Sequence, residues 1–294
     1  MLKKLSKKAT MMTMVATLGL GILAGCGSAT DKKDGGTAQP GQQTEKVSGT
    51  VTVSGSTALL PLAKEAANQF MDKNKDVTIN SSGGGSGTGL KNVADGTSDI
   101  GMSDVEAGPE FKDKGLVDHK VAVAPFLLIV NKDVNIDNLT KQQAADIFTG
   151  KIKNWKEVGG PDKKITIITR PDNSGSRKLV KQIILDGKDF TKDAVVQEST
   201  GAMKTAVSTT SGAIGYIDMA YADDSVKVLK FDGVAYSKDN LKNGSYKLYG
   251  IEHMYTKGEP KGATKAFLDY IMSNDFQNNT VEKMKFIPVS FLGQ

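Results

Sequence analysis

Cysteine, histidine and tryptophan are nearly absent from this 294-residue chain: there is one Cys, two His and one Trp. A single thiol, Cys26, excludes an internal disulfide. His119 and His253 stand in no motif beside a serine, so a His-activated nucleophile has little to be built from. No His/Asp/Glu cluster has metal-ligand spacing. Charge of one sign is also lacking, although the formal net charge is +5. Lys3, Lys4, Lys7 and Lys8 have no acidic counterparts before residue 26; without those four, 34 basic residues face 33 acidic ones. There is no global basic field of the kind nucleic-acid binding needs, so any anion selectivity must be local. Beyond residue 24 no apolar run is long enough to cross a bilayer, and no repeat of solenoid period is present.

What is present begins with a targeting segment, 1–25. Its four lysines precede an apolar stretch from Met11 to Ala24, short for a membrane span. The stretch ends in Leu23-Ala24-Gly25-Cys26, which resembles a bacterial lipoprotein signal with Cys26 as the lipidated mature N-terminus. Residues 26–47 are rich in Gly, Gln, Thr, Asp and Lys without apolar period and read as a flexible tether. Such a tether spans on the order of 25 Å. The remaining body, 48–294, suffices for one large or two medium domains.

Periodicity through the body alternates between strand and helix. A strand at Thr50 to Val53 is followed by a helix with Leu59, Leu62, Ala63, Ala66, Ala67 and Phe70 on one face. A strand at Val77 to Asn80, a short helix carrying Leu90, Val93 and Ala94, and a strand over Asp99 to Asp104 complete a βαβαβ unit, the pattern of a mostly parallel sheet flanked by helices. The apolar run Val121 to Val130, broken by Pro125, is expected to cross to a second lobe. That lobe has a helix near Lys141 to Phe148, a strand at Ile165 to Thr169, a helix after Ser174, a helix near Ala202 to Ser208 and a strand at Ala213 to Ile217. Asn243-Gly244 signals a tight turn between short strands. Tyr246 to Met254 is expected to cross back, before a last helix near Thr264 to Met272. The expectation is an α/β chain with two lobes, 48–124 plus 250–294 and 125–249, each a mixed, mostly parallel sheet flanked by helices, with two hinge crossings and a ligand cleft.

Three helix starts carry the chemistry. Unpaired N–H groups and the positive dipole end make a helix N-terminus an anion site, and ligands of open α/β sheets bind beyond the carboxyl ends of strands. Ser56 and Thr57, with the Ala58 N–H, offer one start; Ser86 among its glycines offers a second. Ser174, Gly175 and Ser176 offer a third, and Arg170 adds a bidentate fork. Asp172 is read as orienting Arg170, and Arg177 is left outside. Each element alone has a plainer reading: an N-cap at Ser56/Thr57, a flexible Gly/Ser loop, a turn residue at Asp104. Taken together they suit a compact oxyanion with several acceptor oxygens. Asp104 then acts as a filter. A carboxylate is acceptor-only, so it tolerates phosphate, which keeps a proton at neutral pH, and repels sulfate, which keeps none.

The set Ser54-Gly55-Ser56-Thr57, Gly84-Gly85-Ser86-Gly87-Thr88-Gly89, Asp99-Ile100-Gly101-Met102-Ser103-Asp104 and Arg170-Pro171-Asp172-Asn173-Ser174-Gly175-Ser176 closely resembles the substrate-binding lipoproteins of bacterial phosphate ABC transporters. Phe148-Thr149-Gly150-Lys151-Ile152-Lys153-Asn154-Trp155 and Gly212-Ala213-Ile214-Gly215-Tyr216 share the resemblance, with Trp155 read as a packing anchor. The likeness runs from about Val51 to Val289. It implies a periplasmic-binding-protein fold of the second type that closes on one phosphate. The implied contacts are the Thr57 hydroxyl, the Ala58 N–H, Ser86, Asp104, Arg170, Ser174, Gly175 and Ser176, with Ser56 as a further candidate. It also implies a non-catalytic monomer without cofactor, held at the outer face of the cell membrane by its lipid. Such a receptor would hand inorganic phosphate to permease subunits driven by a cytoplasmic ATPase. The competing readings are a receptor for another tetrahedral oxyanion, arsenate included, a surface phosphoester hydrolase, or an adhesin.

Overall fold

The structure, a computed structural model, describes residues 47–293. The expected targeting segment, the expected lipidation at Cys26 and the expected tether up to residue 46 lie outside the described residues.

The chain opens with β1 (Gly49–Gly55), α1 (Leu60–Lys73), β2 (Val77–Gly83), α2 (Ser86–Asp95) and β3 (Ile100–Ser103). Next come the long β4 (Leu116–Val130), β5 (Asn138–Leu139), α3 (Lys141–Phe148), β6 (Thr166–Thr169), α4 (Gly175–Ile183), β7 (Val195–Val196), α5 (Thr200–Thr209) and β8 (Ala213–Asp218). It closes with β9 (Lys227–Val228), β10 (Lys230–Phe231), α6 (Lys238–Lys242), β11 (Tyr249–Lys257) and α7 (Gly262–Met272).

The strands lie in the order β2-β1-β3-β11-β4-β8-β6-β7, with β9 beside β4. β1 runs parallel to β2 and β3, and β6 parallel to β7 and β8. Every antiparallel strand pairing involves β4 or β11, the two crossing strands. Parallel pairing is thus the rule within each βα unit, and the crossings make the sheet mixed.

Two apolar clusters flank this sheet. One gathers Val51, Val53, Leu62, Phe70, Ile100, Met254 and Phe267; the other gathers Leu127, Ile129, Phe148, Trp155, Ile168, Ile214 and Tyr216. α1 shows why the sequence folds this way. Leu62, Ala63, Ala66, Ala67 and Phe70 recur at helical spacing, and all are buried. Burying the Leu and the Phe contributes about 1.5–3 kcal/mol each. β4 supplies both clusters, Ala122 and Ala124 to the first and Val123 and Leu127 to the second. Trp155 is fully buried, and its indole N–H donates to the Gly212 carbonyl at 2.9 Å, the packing role expected of it.

Pro125 interrupts the apolar run but not β4, which runs straight through it. Pro125 is the last β4 residue in register with β11, opposite Tyr249, and pairing with β8 starts at Phe126. A residue without an N–H is tolerated at such a change of partner. One local expectation needs correction: Asn243-Gly244 does not join two strands but ends α6, with Asn243 at the C-cap and Gly244 at φ +76°. Ser237 caps the start of α6 by accepting from the Asn240 N–H at 3.0 Å, which turns the preceding segment into a helix.

Candidate oxyanion site

The loops after β1, β2, β3 and β6 meet at one place, together with the start of α5. All the side chains concerned are buried: Ser56, Thr57, Ser86, Asp104, Arg170, Ser174 and Ser176. Asp104 is the hub. Its Oδ1 accepts from the Ser56 hydroxyl, its Oδ2 accepts from the Ser176 hydroxyl at 2.9 Å, and its backbone N–H donates to Ser86 Oγ at 3.0 Å. The loop after β1 and the start of α4 are thereby tied to the Asp104 carboxyl, and the start of α2 to its backbone.

Gly175 makes this convergence possible. A Cβ there would stand 2.3 Å from Ser86 Oγ and 2.9 Å from both Cβ and Oδ2 of Asp104. Only a residue without a side chain lets the start of α4 come so near. Ser174 caps α4 by accepting from the Arg177 N–H at 3.3 Å. Across the site, Asn173 Nδ2 donates to the Gly84 carbonyl at 3.0 Å and to Thr88 Oγ1 at 3.1 Å, while its carbonyl accepts from the Gly87 N–H at 2.8 Å. Gly85 and Gly87 have no side chain to obstruct this contact; a Cβ on either would approach Asn173 to about 3.1–3.2 Å.

Arg170 is 2% exposed. Its Nε donates to the Gln197 carbonyl at 2.9 Å and its Nη2 to the Glu198 carbonyl at 3.1 Å. Nη1 reaches Thr200 Oγ1 and Nη2 reaches Thr57 Oγ1, both at 3.2 Å. Burial pulls the guanidinium below its ordinary range, and Tyr216, Asp104 and Asp218 oppose that pull. It remains a cation.

Asp172 does not orient Arg170. It is an exposed residue that pairs with Arg177 Nε at 3.0 Å. Arg177 is further held by Thr169 Oγ1 at 2.9 Å, the Arg170 carbonyl at 3.2 Å and the ring of Phe190 at 4.5 Å. The guanidinium of Arg170 runs the other way, towards the segment before α5, where carbonyls hold it.

The Ala58 N–H, expected as a ligand donor, donates instead to Ser56 Oγ at 3.0 Å, as does the Leu59 N–H. Ser56 thus caps α1 in place of a side chain at Leu59, which makes no capping bond.

Sequence reasoning missed Thr200. Its hydroxyl lies 3.1 Å from Thr57 Oγ1, and its N–H donates to that same oxygen at 3.2 Å. Ser199-Thr200 has the hydroxyl-rich helix start seen at the other loops, but the apolar period places the helix two residues later, at Ala202. Tyr221, whose hydroxyl donates to the Thr57 carbonyl at 2.5 Å, was also missed. Neither histidine bonds to a serine of the site: His253 Nδ1 is 2.8 Å from Asp118 Oδ1, and His119 Nε2 is 3.0 Å from Thr256 Oγ1. Among the described residues no group of acidic, His or Cys side chains is disposed to hold a metal.

The family described as the PBP superfamily domain matches residues 40–275. Over 287 residues the chain is 42% identical to the phosphate-binding protein PstS of Bacillus subtilis (strain 168), covering 96% of this chain and 94% of that one. It is 28% identical over 261 residues to the phosphate-binding protein PstS of Borreliella burgdorferi, covering 84% and 92%. A solved structure with bound phosphate from Clostridium perfringens, of an ABC transporter substrate-binding protein assigned to phosphate, superposes with a TM-score of 0.79 at 36% identity. That match covers 82% of this chain and all of that one. An ABC-type phosphate transport receptor from Vibrio cholerae gives a TM-score of 0.67 at 27% identity, over 81% and 99%. The architecture is that of these two-lobed α/β binding proteins.

Proposed function

From the premise that this chain belongs to the phosphate-binding protein family of the PBP superfamily, we propose that it captures inorganic phosphate outside the cytoplasm and delivers it to an ABC permease. The observation that carries this reading is the juxtaposition of a buried guanidinium and a buried carboxyl within one ring of hydroxyls. Arg170 supplies attraction for an oxyanion. Ser86, Ser174, Ser176 and Thr57, with the α4 N-terminus at Gly175, supply neutral donors. Asp104 supplies an acceptor that only a protonated oxyanion can satisfy. Ser56 acts through Asp104, and Ala58 through Ser56, more than by direct contact. Thr200 joins the set because it shares Arg170 and Thr57.

The two lobes proposed are 48–124 plus 250–294 and 125–249, closing about β4 and β11. Lipidation at Cys26 and residues 26–47 tether the monomeric receptor to the outer face of the membrane. No catalytic step is assigned: the serines at the site are bonded to Asp104 or to backbone groups, and the histidines bond to Asp118 and Thr256.

Titration calorimetry on protein stripped of phosphate tests this reading. Tight binding of phosphate with negligible heat from sulfate is expected. Equal affinity for the two anions would remove the proton-acceptor role of Asp104, and no phosphate binding would remove the function.

A further inference from the structure

Asp104 is not the sole acid buried at this site. Asp218, at the end of β8, is 1% exposed, and Glu252, within β11, is 0% exposed. With Asp104 they are the three buried acidic residues among the described residues. Neither oxygen of the Asp218 carboxyl has a hydrogen-bond partner, and the side chain that the Glu252 carboxyl meets is the carboxyl of Asp104. The sheet order β3-β11-β4-β8-β6 sets Asp104, Glu252, Asp218 and Arg170 out in that sequence across the molecule. β11 also packs on the Asp104 backbone, since a Cβ at Gly250 would stand 3.2 Å from the Asp104 carbonyl oxygen.

Charge balance decides their state. An isolated buried carboxylate is strongly disfavoured and neutralises instead. One guanidinium, Arg170, can balance one carboxylate, and three carboxyls are present. The other elements against Glu252 offer no further cation. β4 sets Ala122 opposite it, and the charged residues of α2, Lys91 and Asp95, are exposed and paired with each other. The next residue along β11, His253, bonds to Asp118 of β4, and Ser103 of β3 lies opposite it. Towards Asp218 the facing groups are Arg170, Asp104 and the hydroxyl of Tyr221.

We propose that Asp218 and Glu252 are affinity-determining positioning residues of the phosphate site, held beside Asp104 as un-ionised carboxylic acids, and that loss of a proton from either weakens phosphate capture. The inference rests on the phosphate reading above. Burial, then the neighbouring Asp104 carboxyl, pushes both groups well above the ordinary carboxyl range, and Asp218 adds to the effect on Glu252. In the neutral form they surround the anion with little opposing charge. Once ionised, each adds a like charge to a water-poor site.

The test is phosphate calorimetry from neutral to alkaline pH on wild type, Glu252→Gln and Asp218→Asn. Phosphate's own ionisation is common to all three proteins and cancels in the comparison. The expected result is that wild type loses affinity with rising pH relative to both amide variants. At the alkaline end each variant should bind about tenfold tighter than wild type. Parallel pH profiles would overturn the inference while leaving the phosphate reading intact; absence of phosphate binding by wild type at every pH would overturn both. Infrared spectra of wild-type protein at neutral pH give a readout that needs no variant. Bands of un-ionised carboxyl groups are expected, and their absence would contradict the proposal.

Discussion

The two poles of the site are built differently. The guanidinium of Arg170 is held by the neutral carbonyls of Gln197 and Glu198 and by the hydroxyls of Thr57 and Thr200. Asp104 is held by the hydroxyls of Ser56 and Ser176, and two further buried acids, Glu252 and Asp218, lie within its electrostatic reach. Had Asp172 paired with Arg170, a structural carboxylate would compensate the cation before any ligand arrived. Neutral acceptors fix its position, and the carboxyl that faces its charge, Asp104, belongs to the opposite pole. Attraction therefore belongs to the Arg170 pole, and discrimination to the acidic pole.

The largest expected effect is on the first pole. Arg170→Met removes the buried cation and strands the Gln197 and Glu198 carbonyls. Losses from truncating a buried charged partner run to about 2–5 kcal/mol, or roughly 30-fold to several thousand-fold in calorimetric phosphate affinity. Sulfate and phosphate should suffer alike if this pole carries attraction alone. Asp104→Asn probes the other pole. Phosphate binding should weaken by about 1.5–3 kcal/mol, the worth of a hydrogen bond to a charged group, while the phosphate–sulfate gap narrows. An unchanged gap would break the division between the poles.

Gly175→Ala tests the spacing between α4 and Asp104. Overpacking of this kind costs about 1–3 kcal/mol, which should show as a lower midpoint in denaturant unfolding together with weaker phosphate binding. Full retention of both would mean that the contact with Ser86 and Asp104 is loose.

A smaller effect concerns pH and stability. Asp218 and Glu252 have carboxyls raised by burial and by Asp104. Below the ordinary carboxyl range both folded and unfolded chains hold these protons, and stability does not change with pH on their account. Above it, the unfolded chain releases protons that the folded chain keeps. Stability should then fall as pH rises, by on the order of 1 kcal/mol per pH unit for each group, until the raised folded values are passed. Thermal unfolding across pH should show this slope, and Glu252→Gln combined with Asp218→Asn should flatten it. The smallest effect is at Asp172→Asn. This breaks a solvent-exposed pair with Arg177 and should cost less than about 1 kcal/mol in denaturant unfolding, without shifting phosphate affinity.

Most of the fold was legible because apolar period and burial coincide. α1 places its five apolar residues inward as the spacing requires, and the predicted span of α3 is the observed one. Ser86, Asp104, Arg170 and Ser176 were legible as a set because each sits just past a strand end or in the first turn of the helix that follows one, where the topology gathers loops. What failed were choices between near-equal local partners. Asp172 is two residues from Arg170 and five from Arg177, and the sequence does not say which way either guanidinium turns. Thr200 was hidden because an apolar period locates a helix face better than its first turn. Asp218 and Glu252 did leave a trace, each a lone acid at the end of an apolar run, Ile217-Asp218 and Ile251-Glu252. The run marks the strand; it does not reveal that both acids share surroundings with Asp104 across the sheet.

The central claim is that one oxyanion is held between Arg170 and Asp104. A crystal structure grown with phosphate tests it most directly. The predicted result is a tetrahedral anion touching the Arg170 guanidinium, the hydroxyls of Thr57, Ser86 and Ser176, and a carboxylate oxygen of Asp104. Phosphate bound away from these residues, or bound there without touching Asp104, would contradict the account.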